Sequence, residues 1–196
     1  MTIASAFSSA PLWYTTRATA IVAFVLLTTA MALGLAATQR AMASRAWPRF
    51  ATQDLHRNLS LLGLCFVLVH IVTTLSDSFV TLGWWSFVIP GASPYRTTWT
   101  ALGTIAFDLV VVLVVSSLVR HRLPLRLWRG LHFAAYALWP LAFVHFLETG
   151  TDAAHDRWGL WLDIACLLAL ALAIAARVLA RNEPDGPLRS MQRMTS

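Results

Sequence analysis

LHRNLSLLGLCFVLVH, residues 55–70, is an apolar, helix-like run with a histidine near each end, His56 and His70. Imidazoles are costly in a helix that faces lipid. The chain also has few polar residues to spare, so two in one run call for an explanation. Fourteen residues at about 100° each end only about 40° short of four turns, so the two histidines share a face.

The rest of the chain sets the context for that run. Of 196 residues, 58% are hydrophobic and 12% charged, too apolar for a soluble domain. The net charge of +6 comes from fifteen basic residues, every one an arginine. They lie between apolar runs, which points to membrane topology and away from nucleic acid. Cys65 and Cys166 each stand alone in an apolar run, which argues against a disulfide framework, and no CxxCH is present to attach a c-type haem.

Five runs are long enough to cross the bilayer, at about 18–38, 54–75, 99–119, 130–148 and 158–180. The first is too long, and has its arginines on the wrong flank, for a signal peptide. The fold class is therefore an all-α integral membrane protein, a bundle of five transmembrane helices. Arginine placement orients it. Arg40, Arg45, Arg49 and Arg57, then Arg120, Arg122, Arg126 and Arg129, then Arg177, Arg181, Arg189 and Arg193 fall on one side. Arg17, Arg96 and Arg157 fall on the other, with Asp77, Glu148, Asp152 and Asp156. Twelve against three puts the N-terminus outside and the C-terminus in the cytoplasm. The expected organisation is a short outer segment at 1–17, a membrane domain at 18–180 and a polar cytoplasmic tail at 181–196.

The longest connection, 76–98, carries Trp84, Trp85, Phe87 and Tyr95 with Pro90 and Pro94. It reads as an interfacial aromatic anchor or as a lid over the outer face.

WRGLHFAAYALWPLAFVH, residues 128–145, repeats the arrangement of the opening run, with His132 and His145 near its ends. Both runs travel in the same direction, so His56 and His132 fall at one depth and His70 and His145 at another. The two levels lie roughly 20 Å apart at 1.5 Å per residue. Two facing imidazoles at one depth are what a b-type haem takes as axial ligands, and helix bundles build cofactor sites in this way. Angular phase is awkward on the later run: its thirteen-residue step leaves His132 and His145 about 140° apart on an ideal helix. Pro140 lies between them and is expected to kink or rewind the helix. His121 and His155 sit in surface connections and read as structural.

These spacings, with the wording of both runs and the LWYTTRATA that opens the first helix, resemble the ferric reductase-like transmembrane domain over roughly residues 11–180. That superfamily includes NADPH oxidases, ferric reductases and the haem-binding membrane subunit of a bacterial methionine sulfoxide reductase system. The resemblance implies His56 with His132 on an inner haem b and His70 with His145 on an outer one. It also implies a b-type cytochrome carrying electrons from a cytoplasmic donor to an outer acceptor, in a bacterial plasma membrane. About 16 polar residues follow the last helix and no dinucleotide fingerprint appears. The donor is thus expected to be a separate flavoprotein reductase or the quinone pool, with no flavin bound by this chain alone. Ferric iron, oxygen or an outer protein could accept the electrons.

Haem propionates need cations. Arg57, beside His56, and Arg129, one turn before His132, are the inner candidates. Arg17 is the outer one, with a pair to Asp163 as its alternative. Asp108 reads as the most buried carboxylate, a proton path or a structural pair. Two rival functions stay open: a quinone-linked haem subunit of an outer reductase, and a haem-free scaffold or transporter.

Overall fold

A computed structural model describes residues 3–37, 49–77, 82–150 and 158–182. Arg40, Arg45, Asp152, His155, Asp156, Arg157, Arg189 and Arg193 lie outside the described residues. Among the described residues six helices follow one another: α1 (Ile3–Ala37), α2 (Arg49–Ser76), α3 (Thr97–Leu118), α4 (Leu125–His132), α5 (Ala135–Thr149) and α6 (Trp158–Asn182). Five spans among these residues are long and apolar enough to cross a membrane, α4 and α5 together forming the fourth. The chain is a multi-pass membrane protein. The first span begins at Pro11, in a helix that starts at Ile3.

α1 packs most extensively against α2, α3 against α5, and α6 against α1, whereas α2 and α3 touch little. The result is a bundle with a gap between α2 and α3, lined by His70 of α2 and His145 of α5 among others. Leu62, Leu68, Val72, Val112, Val115, Leu168 and Leu172 are exposed on its outer faces. In water such a surface would aggregate; against acyl chains it costs nothing.

Because lipid is as apolar as leucine, close packing and interhelical polar links hold such a bundle together. One buried cluster joins Phe24 and Leu35 of α1, Trp139 of α5, and Cys166 and Leu170 of α6. Trp139 Nε1 donates to Thr28 Oγ1 across the α1–α5 contact at 2.9 Å. An interhelical bond of this kind averages about 0.6 kcal/mol in a membrane. Packing of the indole therefore dominates, since truncating a buried tryptophan costs about 3–5 kcal/mol in soluble cores. A second cluster, Ala106, Val110, Leu113 and Leu138, closes α3 on α5. Several serine and threonine hydroxyls inside the spans donate back one turn, as Thr28 does to the Phe24 carbonyl at 2.9 Å, whereas Thr16 Oγ1 is buried without a partner among the described residues.

Cys65 and Cys166 are both free, as their isolation implied. Within 76–98, the described part forms a 3-10 turn at Trp84–Phe87. Trp84 and Trp85 are exposed while Ser86 is buried. Thr104 of α3 donates to the Ser86 carbonyl at 2.7 Å and pins the turn against the bundle. The turn thus exposes two indoles on one side and packs against the bundle on the other.

Candidate functional site

Three of the four histidines on the paired runs have the same local construction. His56 Nδ1 lies 2.7 Å from the Ala30 carbonyl, His70 Nδ1 3.0 Å from that of Thr16, and His145 Nδ1 2.8 Å from that of Trp99. Each carbonyl lies within a helix, and as an acceptor it requires the proton on Nδ1. That choice of tautomer leaves Nε2 with its lone pair free, the arrangement that metal-binding histidines adopt. Fourteen residues separate Thr16 from Ala30, as fourteen separate His56 from His70. α1 and α2 therefore run antiparallel without slippage, and α1 carries a carbonyl to both levels.

A helical carbonyl is ordinarily screened by the side chain one turn later, because side chains lean toward the helix N-terminus. The residues one turn after Ala30, Trp99 and Thr16 are Gly34, Gly103 and Ala20. A Cβ at Gly103 would come within 2.5 Å of His145 Cε1 and 2.6 Å of its Nδ1. At Gly34 the nearest atom would be His56 Cε1 at 3.3 Å. These small residues clear the space that each imidazole occupies. A hydroxyl one turn after each histidine also donates back to that histidine's own carbonyl: Ser60 at 2.7 Å, Thr74 at 2.6 Å and Thr149 at 2.6 Å.

The fourth histidine is held differently. The ring of His132 stacks on Trp128, centroids 5.0 Å apart and planes at 21°. The Arg120 guanidinium lies 4.5 Å above the same indole. His132 Nδ1 and Trp128 Nε1 are buried with no hydrogen-bond partner among the described residues.

The structure brings the histidines together in the expected pairs. His56 and His132 have ring centroids 6.2 Å apart with planes at 73°. A first-row metal bonds an imidazole nitrogen at roughly 2 Å, and the ring centre lies about 1 Å behind it. Two rings on opposite sides of one ion therefore have centres about 6 Å apart, and the observed spacing fits that requirement.

His70 and His145 line one cavity of about 150 Å³ in the gap, its wall formed also by Phe24, Phe107, Leu138 and Phe146. Leu82, Ser86 and Phe87 of the aromatic turn form part of its lining, and Ser86 Oγ is buried there without a partner among the described residues. The cavity is apolar apart from its two imidazoles and this hydroxyl.

The phase mismatch of His145 is relieved upstream of Pro140. Helix α4 ends at His132 and α5 begins at Ala135. Between them, amides bond three residues back: Phe133 to Gly130 at 3.2 Å, Ala134 to Leu131 at 3.0 Å, Tyr136 to Phe133 at 3.0 Å and Ala137 to Ala134 at 3.0 Å. A 3-10 step turns about 120° against 100°, so three or four of them recover roughly 60–80°, about half of the mismatch. Pro140 cannot donate to the Tyr136 carbonyl, which places its effect one turn before the proline.

The remaining candidates divide. Arg57 and Arg129 are exposed at the level of His56 and His132. Arg17 lies with its guanidinium 4.0 Å above the Trp13 ring. Its alternative pairing fails, because neither Asp163 oxygen has a hydrogen-bond partner among the described residues. Asp108 is half-buried, and Asp163, 1% exposed, is the most buried carboxylate instead. Position along a helix gives depth but not burial, which decides between the two carboxylates. His121 is exposed in a short 3-10 turn, Arg120–Arg122. No group of three or more potential metal ligands occurs among the described residues, so any metal here is held by pairs.

Neither the comparison with curated proteins nor that with solved structures yields a match. The family model described as the ferric reductase like transmembrane component matches residues 19–143, more than half of the chain, and spans all four paired histidines but the last. His145 falls two residues beyond the matched segment, on the same helix as Trp139 and Pro140. By that match, and with five membrane-spanning helices around its paired histidines, the chain belongs to the ferric reductase-like transmembrane family.

Proposed function

We propose that this chain is a b-type cytochrome of the bacterial plasma membrane, binding two stacked bis-histidine haems. It moves electrons from a cytoplasmic flavoprotein to an acceptor at the outer face, such as ferric iron, oxygen or a protein. The observation that carries this reading is the pairing of histidines from facing helices at two depths, three of them tied at Nδ1 so that Nε2 is free. The arginine asymmetry supports an outer N-terminus and a cytoplasmic C-terminus, which makes the His56–His132 level the inner one.

Haem, if held by these histidine pairs, would supply a one-electron iron couple suited to electron transfer. The chain does the rest. Each Nδ1–H···O=C bond fixes the ring's orientation and raises the basicity of the opposite nitrogen. Phe24, Phe107, Leu138 and Phe146 exclude water from the outer level. Arg57 and Arg129 stand beside the inner pair to balance anionic propionates, and Arg17 serves the outer level. The reading with a single quinone-linked haem drew its support from the phase of His145. That His145 and His70 line one cavity favours the two-haem reading.

A redox titration of the purified chain tests the proposal. Two one-electron components in the α-band absorbance are expected. One component favours the quinone-linked alternative, and none favours a scaffold or transporter.

Pro140→Ala is expected to separate the levels. Restoring the bond to the Tyr136 carbonyl removes the cause of overwinding and turns His145 away from Trp99. Haem content should fall toward one per chain with the inner component retained, as read by the same titration.

A further inference from the structure

Asp163 of α6 is the most thoroughly buried large side chain among the described residues, at 1% exposure, and neither of its oxygens has a hydrogen-bond partner there. It lies within a membrane span, where such a group is seldom found without a role. One turn further on lies Cys166, near Thr28 of α1, which receives the Trp139 indole N–H. Cys166 packs in one cluster with Phe24 and Trp139, and Phe24 forms part of the wall around His70 and His145. The carboxyl thus reaches the outer cavity through two packed side chains.

Among the described residues no hydrogen bond stabilises the ionised form of this carboxyl. Unpaired charge in a dry core is expensive, and the expense falls when a positive charge stands nearby. An iron held by two neutral imidazoles carries one more positive charge when ferric than when ferrous. Low dielectric carries that difference across the cluster more strongly than water would.

We infer that Asp163 is a redox-linked proton-binding site for the outer level, an inference that rests on the two-haem reading. When an electron arrives from the flavoprotein, Fe(III) becomes Fe(II), and the Asp163 carboxylate takes one proton from the aqueous phase to form its O–H bond. On oxidation by the outer acceptor, both leave. No bond to iron forms or breaks, and charge in the core stays constant through the cycle. Other titratable groups could contribute to the same pH response. On the helices packed against α6 these are Tyr14 and Arg17 of α1 and Tyr136, His145 and Glu148 of α5, while α6 itself adds Cys166 and Arg177. The substitution must therefore be specific to Asp163.

The test uses the purified, haem-loaded chain. In the native protein the outer component's midpoint potential is expected to fall as pH rises through neutrality, approaching one proton per electron. The reduced-minus-oxidised infrared spectrum should gain a protonated carboxyl C=O band. Asp163→Asn should abolish both with haem content unchanged, while Asp163→Glu should keep the pH slope and shift the band. A pH-independent potential, or a slope and band that survive in Asp163→Asn, overturns the inference while the two-haem reading stands. A chain that binds no haem overturns both. If Asp163→Asn fails to assemble, the native infrared spectrum decides alone, since absence of a carboxyl band on reduction contradicts the proposal.

Discussion

Gly103→Ala is expected to cost the protein its outer haem, reducing haem from about two per chain to about one. In an exposed helix the same change is favourable by about 1 kcal/mol, because alanine is the better helix former. Here the added Cβ would stand 2.5 Å from His145 Cε1, 2.6 Å from Nδ1 and 2.8 Å from Nε2. Such contacts leave the ring no place on the Trp99 carbonyl, and α3 and α5 pack too closely for the helices to absorb the difference. The prediction runs against helix propensity, so an outcome governed by propensity would be visible as a more stable chain with full haem content. Gly34→Ala supplies the internal comparison. Its Cβ would meet His56 at 3.3 Å, a contact relieved by a few tenths of an ångström. It should shift the inner component's potential without loss of haem. Haem per polypeptide and the redox titration together read both variants.

The second large effect concerns the histidines one at a time. His132→Ala and His145→Ala should each remove one haem and leave the other, and the component that disappears should differ between them. The levels lie roughly 20 Å apart along the helices, so each pair answers for itself. Replacing both should leave a folded chain without haem absorbance. If either single substitution abolished both components, the two levels would not be independent sites. If neither reduced haem content, these histidines would not be the ligands.

Much of this arrangement was legible in the sequence because helix geometry is regular. The depth of His56 with His132 and of His70 with His145 follows from counting residues at a fixed rise. The fourteen-residue step on α2 also predicts a shared face, and both its histidines do bond to α1. What resisted reading depends on the neighbouring helix. Gly34 and Gly103 are ordinary glycines until the facing imidazole is known, and Ala20 is one alanine among many. A signal was nonetheless present, since a small residue follows each accepting carbonyl by one turn. The expected rewinding between His132 and His145 occurs, but at residues 130–137 rather than around Pro140 itself. The missing amide acts on the carbonyl one turn before the proline. Asp108 and Asp163 show the same limit from another side. Both lie well within spans, yet only Asp163 is buried. Arg120 and Trp128, which stack in sequence on His132, joined no spacing pattern and were passed over.

The central claim is that two haems are bound, one between each pair of histidines. The most direct test is the haem content of the purified chain by pyridine haemochrome, taken with oxidised and dithionite-reduced spectra. The account predicts about two b haems per polypeptide, low-spin in both states. A chain expressed with ample haem that carries none, or carries a high-spin haem with an open axial position, would contradict it.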